Sequence, residues 1–320
     1  MTADPFFSAM KRVLVTGASG YVGTLLCTRL AARGVAVTAA LRIGASVPDG
    51  ANAVIVGQIG STTDWHEALK SCGTVIHLAA QVPGPGVSAG AFAEVNDQGT
   101  ARIVAQARDS GATRFIHMSS VFALADRSIG TPLNDILPVA PTTDYGRSKR
   151  AGEIHVEEFS GEGRTAIVLR PPLVYGAGAK GNWRMLQKLA ASSLPLPFAS
   201  VKNRRTLIAR DNLVDAIAHL VALPSERLVA GTFLLADVET VSLAQILSGL
   251  RAGMGKRPGL FAVPPSAMVA ALRTLGRHKI AQSLLGDLEL DASRFCETFG
   301  WTPKINTRDG IVAAGVGFRP

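Results

Sequence analysis

Cysteine is scarce in this chain. Cys27, Cys72 and Cys296 are spread along 320 residues. Their odd number argues against a disulfide framework, and no Cys-xx-Cys spacing offers a metal site. They read as ordinary thiols of a reducing, cytoplasmic compartment. Long apolar runs are missing too. None approaches the roughly 20 residues that span a bilayer, and the apolar stretch 262–275 is interrupted by Pro264, Pro265 and Arg273. Residues 1–10 lack the basic start and apolar centre of a secretory signal. Met10 directly precedes the first expected strand, so residues 1–9 read as a loose extension. No repeat or low-complexity tract stands out. The aromatic-basic interleaving used for nucleic acid is also absent.

What is present fits a globular protein: 47% hydrophobic and 18% charged residues. The net charge is +9. Nucleic acid, an anionic membrane surface and an anionic small substrate each match that sign. The charge is scattered, apart from short clusters such as Lys202-Asn203-Arg204-Arg205. A diffusely basic surface accounts for it best, followed by an anionic substrate.

The N-terminal half alternates strands and helices. Strands are expected at 11–16, 35–41, 53–56, 74–79, 114–118 and 165–169. Helices are expected at 21–33, 64–70, 92–110 and around Tyr145 to about Phe159. Such alternation implies right-handed crossovers and a parallel sheet covered on both faces, an α/β doubly wound Rossmann fold. Its ligands belong at the carboxyl ends of the strands. Beyond Arg170-Pro171-Pro172 the regularity fades. A helix is expected at 211–223 and a strand at 232–235. From Val241 the chain reads as mostly helical, broken at Gly253, Gly255, Pro258, Pro264 and Pro265. The expected division is a dinucleotide-binding domain over 10–174, rejoined by 205–237. Residues 175–204 and 238–320 then form a smaller substrate lobe.

Thr16-Gly17-Ala18-Ser19-Gly20-Tyr21-Val22-Gly23 joins the first strand to the first helix. The glycines allow a tight turn, close approach of pyrophosphate and close helix packing. The helix N-terminus adds free amides and a positive dipole. The end of the second strand selects the cofactor. NAD sites usually carry a carboxylate there, but this chain reads Ala39-Ala40-Leu41-Arg42. Arg42 suits a 2′-phosphate, which favours NADP(H) and leaves NAD(H) open. The competing reading of Arg42 is a solvent-exposed arginine.

Tyr145 and Lys149 are four residues apart, so on a helix they share a face. A phenol beside an ammonium is expected to have a lowered pKa, which makes Tyr145 a candidate general acid/base.

Assembled, these features resemble the extended short-chain dehydrogenase/reductase family, the NAD-dependent epimerase/dehydratase type. The resemblance covers nearly the whole chain. It runs through the glycine loop, His77-Leu78-Ala79-Ala80, Asn96 with Gly99-Thr100, Met118-Ser119-Ser120, Tyr145-xxx-Lys149 and Leu169-Arg170-Pro171-Pro172-Leu173-Val174-Tyr175-Gly176. The stretch from Pro171 to Asp215 looks like a bacterial nucleotide-sugar branch that supplies O-antigen and other surface polysaccharides. The resemblance implies that Ser120 holds the reacting oxygen, with Ser119 the less favoured member of the pair. It implies Tyr145 as acid/base, and Lys149 as the group that tunes it and binds the nicotinamide ribose. Asn182 and Arg204 match positions that contact a nucleotide diphosphate, and Arg205 is the neighbouring candidate. The implied cofactor contacts are Gly17, Ser19, Gly20, Tyr21, Val22, Gly23, Arg42, Gln58, Ile59, Leu78, Ala79, Ala80, Asn96, Tyr145, Lys149 and Pro171. A homodimer is implied as well.

Three departures stand out. Ala123-Leu124-Ala125 replaces the family's Val-Tyr-Gly. Gln58 stands where an acidic residue often follows the third strand. The carboxylate of the second strand is missing. The resemblance implies hydride transfer at a sugar carbon. The favoured expectation is NADPH-dependent reduction of a UDP-linked 4-keto-6-deoxy sugar, such as UDP-2-acetamido-2,6-dideoxy-hexos-4-ulose. UDP-hexose 4-epimerisation is the close alternative. A reductase of a lipophilic hydroxy-ketone and a non-catalytic NADP sensor are further readings.

Overall fold

The computed structural model describes residues 12–276 and 278–319. The proposed N-terminal extension and Lys11 lie outside them. Seven strands form a parallel sheet: β1 (Arg12–Thr16), β2 (Val37–Leu41), β3 (Asn52–Ile55), β4 (Cys72–His77), β5 (Arg114–Met118), β6 (Thr165–Arg170) and β9 (Gly231–Leu234). Their order is β3-β2-β1-β4-β5-β6-β9. β2, β4 and the first four residues of β5 are buried, as strands covered on both faces should be. The order reverses between β1 and β4, and a ligand crevice opens at the strand ends of such a switch point.

Helices cover both faces. α1 (Tyr21–Ala32) and α7 (Arg210–Ala222) lie on one side. Leu26, Leu30, Leu213 and Ile217 pack there against Val13, Val15 and Ile116. On the other side, α2 (His66–Leu69), α4 (Gly99–Asp109) and α5 (Asp144–Glu157) cover Leu14, Val75 and Phe115. The single long helix expected at 92–110 is interrupted. A short α3 (Ala89–Phe92) runs into a π-helical segment, Ala93–Gln98, before α4 begins. Such wide turns mark functional positions more often than chance.

β7 (Leu173–Tyr175), β8 (Arg205–Ala209) and β10 (Thr240–Val241) form a separate three-stranded sheet. The return to the main sheet is therefore made by α7 and β9, not by all of 205–237. Buried Asp237 ties the pieces together. It accepts from Tyr175 Oη (3.0 Å), Ala209 N (3.1 Å) and Asn212 Nδ2 (2.7 Å). Burial pushes its carboxyl up to about 6.

The lobe is helical: α6 (Gly181–Ala191), α8 (Leu243–Gly253), α9 (Pro265–Thr274), α10 (His278–Leu285) and α12 (Thr307–Val316). α11 (Ser293–Phe299), assigned to the lobe from the sequence, packs on the main sheet instead. Phe295 and Phe299 close around Phe233 of β9 and Trp301 packs on Phe295, with paired ring centroids 5.0–6.1 Å apart. Burial of large apolar rings, at ~2 kcal/mol each, outweighs sequence distance here.

Candidate active site

The glycine loop forms a cradle at the end of β1. Gly17 has φ +64°, and a Cβ there would sit 2.8 Å from Ala79 N in the loop after β4. A Cβ on Gly23 would sit 2.2 Å from Gly17 O. Gly20 at the N-cap of α1 offers no side-chain cap, so the first amides of the helix are left for a ligand. Ser19 and Gly20 face solvent, and Leu78, Ala79 and Ala80 line the adjoining turn, half-buried. These residues fit a dinucleotide diphosphate. Tyr21 offers its backbone amide at the first position of α1. Its ring turns toward the lobe, beneath the Arg210 guanidinium (4.7 Å), with a buried hydroxyl that has no hydrogen-bond partner among the described residues. Arg42 is exposed just past β2, Gln58 is exposed after β3, and Ile59 is half-buried against the sheet core.

The second group of residues converges where β5 and β6 end. Ser119 N donates to Leu169 O (2.8 Å), and Val121 N to Pro171 O (3.0 Å). This pins the Ser119-Ser120 turn. Ser120 Oγ caps the next turn, accepting from Phe122 N at 3.2 Å. Ser119 points elsewhere: its Oγ donates to buried Glu153 (2.5 Å). In this structure the hydroxyl serves the scaffold, because a buried carboxylate demands donors.

α5 carries Tyr145 and Lys149. Thr143 caps it, its Oγ1 accepting from Gly146 N (3.1 Å). Two glycines let the helix press against its neighbours. A Cβ on Gly146 would meet Phe122 O at 2.2 Å, and one on Gly152 would meet Asn96 O at 2.4 Å. Phe92 and Phe122 flank the Tyr145 ring. Asn96, in the π-helical turn, donates to Ser148 Oγ (3.0 Å) and to Gln81 O (2.9 Å), and accepts from Gln81 N (2.8 Å). It braces α5 against the turn that follows β4.

Lys149 is buried, its Nζ 3.4 Å from Nε2 of His117 on β5. Burial pulls its ammonium down to about 8, and Glu153 opposes the fall. His117 lies well below the ordinary histidine range, through burial and then the Lys149 charge. It is therefore neutral and can accept from the ammonium. It stacks on His77 (5.4 Å, 18°), whose ring nitrogens meet Thr16 Oγ1 (2.8 Å) and Thr100 Oγ1 (3.3 Å). The expected lowering of Tyr145 is reversed. Burial raises its phenol, while a hydrogen bond from Ser120 opposes that rise. Withdrawal of the hydroxyl from water sets the direction, and the Lys149 ammonium is engaged with His117.

The diphosphate contacts expected in the lobe are placed differently. Arg204 is exposed and forked onto Glu289, with Nε 2.5 Å from Oε2. Arg205 donates to the Gly286 carbonyl at 3.0 Å and to that of Ser283. In this structure both arginines are engaged within the lobe, because β8 lies alongside the 286–289 segment and its acceptors are in reach. Asn182 is exposed near the start of α6.

Sequence reasoning missed Glu153. It accepts from Arg170 Nε (2.8 Å) and Nη2 (2.6 Å), as well as from Ser119 and Arg150. Its spacing four residues after Lys149 was the available signal.

Residues 13–236 match the NAD dependent epimerase/dehydratase family. The chain is 32% identical to a UDP-glucose 4-epimerase of Vibrio cholerae, over 94% of this chain and 93% of the relative. It is 30% identical to a ceramide reductase of Caulobacter vibrioides, over 81% and 75%. A crystal structure of UDP-glucuronic acid 4-epimerase from Bacillus cereus with NAD superposes with a TM-score of 0.76, at 18% identity and 96% coverage of both chains.

Proposed function

This chain belongs to the NAD-dependent epimerase/dehydratase family of extended short-chain dehydrogenases/reductases, and we propose that it uses NADPH to reduce the 4-keto group of a UDP-linked deoxy sugar. The observation that carries the cofactor choice is the end of β2. Arg42 stands exposed there, and Ala39 to Arg42 holds no carboxylate. A guanidinium in that position suits a 2′-phosphate. When bound in the cradle, the nicotinamide supplies hydride chemistry at the substrate carbon.

The protein's part is positioning and proton transfer. Ser120 Oγ and Tyr145 Oη hold the sugar oxygen. Tyr145, kept protonated by burial, gives it a proton in the reductive direction. Lys149, held by His117, places positive charge beside the phenolate that remains. The product is a surface-polysaccharide precursor, and the working unit is a homodimer by family analogy.

A second reading, UDP-hexose 4-epimerisation, is favoured by the 32% identity to the Vibrio cholerae relative. Its Tyr145 would take the proton and then return it. One experiment separates the two. The protein is incubated with UDP-2-acetamido-2,6-dideoxy-hexos-4-ulose plus NADPH or NADH, and separately with UDP-glucose or UDP-N-acetylglucosamine alone. NADPH consumption that needs the keto sugar supports reduction. Interconversion of the UDP-sugars without added cofactor refutes it in favour of epimerisation.

A further inference from the structure

From Thr240 to Gly286 the chain contains no aspartate or glutamate. Within that stretch Lys256, Arg257 and Arg273 are exposed. The stretch also leaves apolar surface uncovered. α9, with the sequence Pro-Ser-Ala-Met-Val-Ala-Ala-Leu-Arg-Thr, has no buried residue. Phe261 is 47% exposed and Leu275, just past α9, is 70% exposed.

Leu194, three residues past α6, is 68% exposed. Backbone bonds from Leu196 N to Gly259 O (3.0 Å) and from Phe261 N to Leu196 O (2.9 Å) hold the two segments side by side. Arg251 locks them from below. Its buried guanidinium donates to Leu194 O (2.7 Å) and Pro258 O (2.7 Å). Lys256 reaches across to the Ala191 carbonyl, which sets an ammonium at the patch edge. The result is a braced segment that exposes apolar side chains together with cations and no carboxylate of its own.

We propose that this face of the lobe docks on an anionic lipid bilayer. The apolar side chains enter the headgroup boundary, and the cations meet the lipid charge. Lysine and arginine stems suit that depth, since their heads reach back to water. A second copy of the chain is a poor occupant, because a two-fold contact would set the positive segments against each other. The docking lies on the surface. Among the described residues no helix is long and apolar enough to cross a membrane.

The test is flotation of the full chain with vesicles of phosphatidylcholine alone and of phosphatidylcholine with phosphatidylglycerol. It reads lipid binding and is independent of any turnover. The chain is expected to float only with the anionic vesicles and to be released by high salt. Replacing Lys256→Glu and Arg257→Glu together is expected to lower the partition coefficient at least about tenfold. Phe261→Ser with Leu275→Ser is expected to weaken it as well, with the melting temperature unchanged. Three results overturn the proposal: equal partition to neutral and anionic vesicles, no binding to either, or variants that bind like the parent. A chain that self-associates through this face, while the vesicles stay bare, assigns the patch to a second copy and also overturns it.

Discussion

Replacing His117 with phenylalanine isolates the support of Lys149. The aromatic ring keeps the stack on His77 but removes the nitrogen that faces Nζ at 3.4 Å. A hydrogen bond to a charged group contributes ~1.5–3 kcal/mol. This one is long, so the lower end applies. One pKa unit corresponds to about 1.4 kcal/mol. Loss of the acceptor therefore lowers the Lys149 pKa by about one unit, from a starting point of about 8. The sign follows from which form the acceptor stabilises. A lone pair favours the ammonium, so removing it favours the neutral amine. Activity that needs the ammonium is lost as pH rises through this pKa. The basic limb of the pH–kcat profile should therefore move to lower pH, and the rate should fall near neutrality. His117→Gln retains an acceptor and should return the limb toward its original place. Ring nitrogen shifts of 15N-labelled His117, with and without Lys149→Met, report the contact without substrate. A basic limb that stays put in the phenylalanine variant, or glutamine and phenylalanine variants with one profile, refutes the reasoning.

Other substitutions test the remaining parts. Tyr145→Phe removes the acid and should abolish turnover while NADPH still binds, read by nicotinamide fluorescence; retained turnover removes Tyr145 from its role. Glu153→Ala strands the buried Arg170 guanidinium, a loss of ~3–5 kcal/mol. For a chain of this size the melting temperature should fall on the order of 10 °C, and a drop of only a degree or two would show that Arg170 finds another partner. Arg42→Asp should weaken NADPH about tenfold or more, the loss of one charged contact, and leave NADH binding unchanged. Equal effects on both cofactors would dissociate Arg42 from the 2′-phosphate.

The parallel sheet was legible because its strands are short, apolar and regularly spaced, and β5 fell on its expected boundaries. The glycine loop was legible because its demands are local: a positive φ at Gly17 and helix packing at Gly23. The π-helical turn was not, since Ala93 to Gln98 has ordinary helical composition, and contact with α5 decides its width. Nor was the destination of α11. Phe295 and Phe299 are apolar in either domain, and only the open flank of β9 selects the sheet.

Charged residues were the hardest to place, and Arg170, Arg204 and Arg205 show why. A guanidinium takes the nearest acceptors its stem can reach, and those come from distant segments. For Arg170 the partner lies on α5. For Arg204 and Arg205 the partners lie between Ser283 and Glu289. A sequence motif records that an arginine is present but not which acceptor reaches it first. If a nucleotide diphosphate binds through Arg204, it must displace Glu289. Glu289→Gln should then tighten UDP binding. If UDP binds elsewhere, the substitution leaves its affinity unchanged. Isothermal titration with UDP distinguishes the two, because Arg204 lies at the surface and the fold does not depend on its pairing.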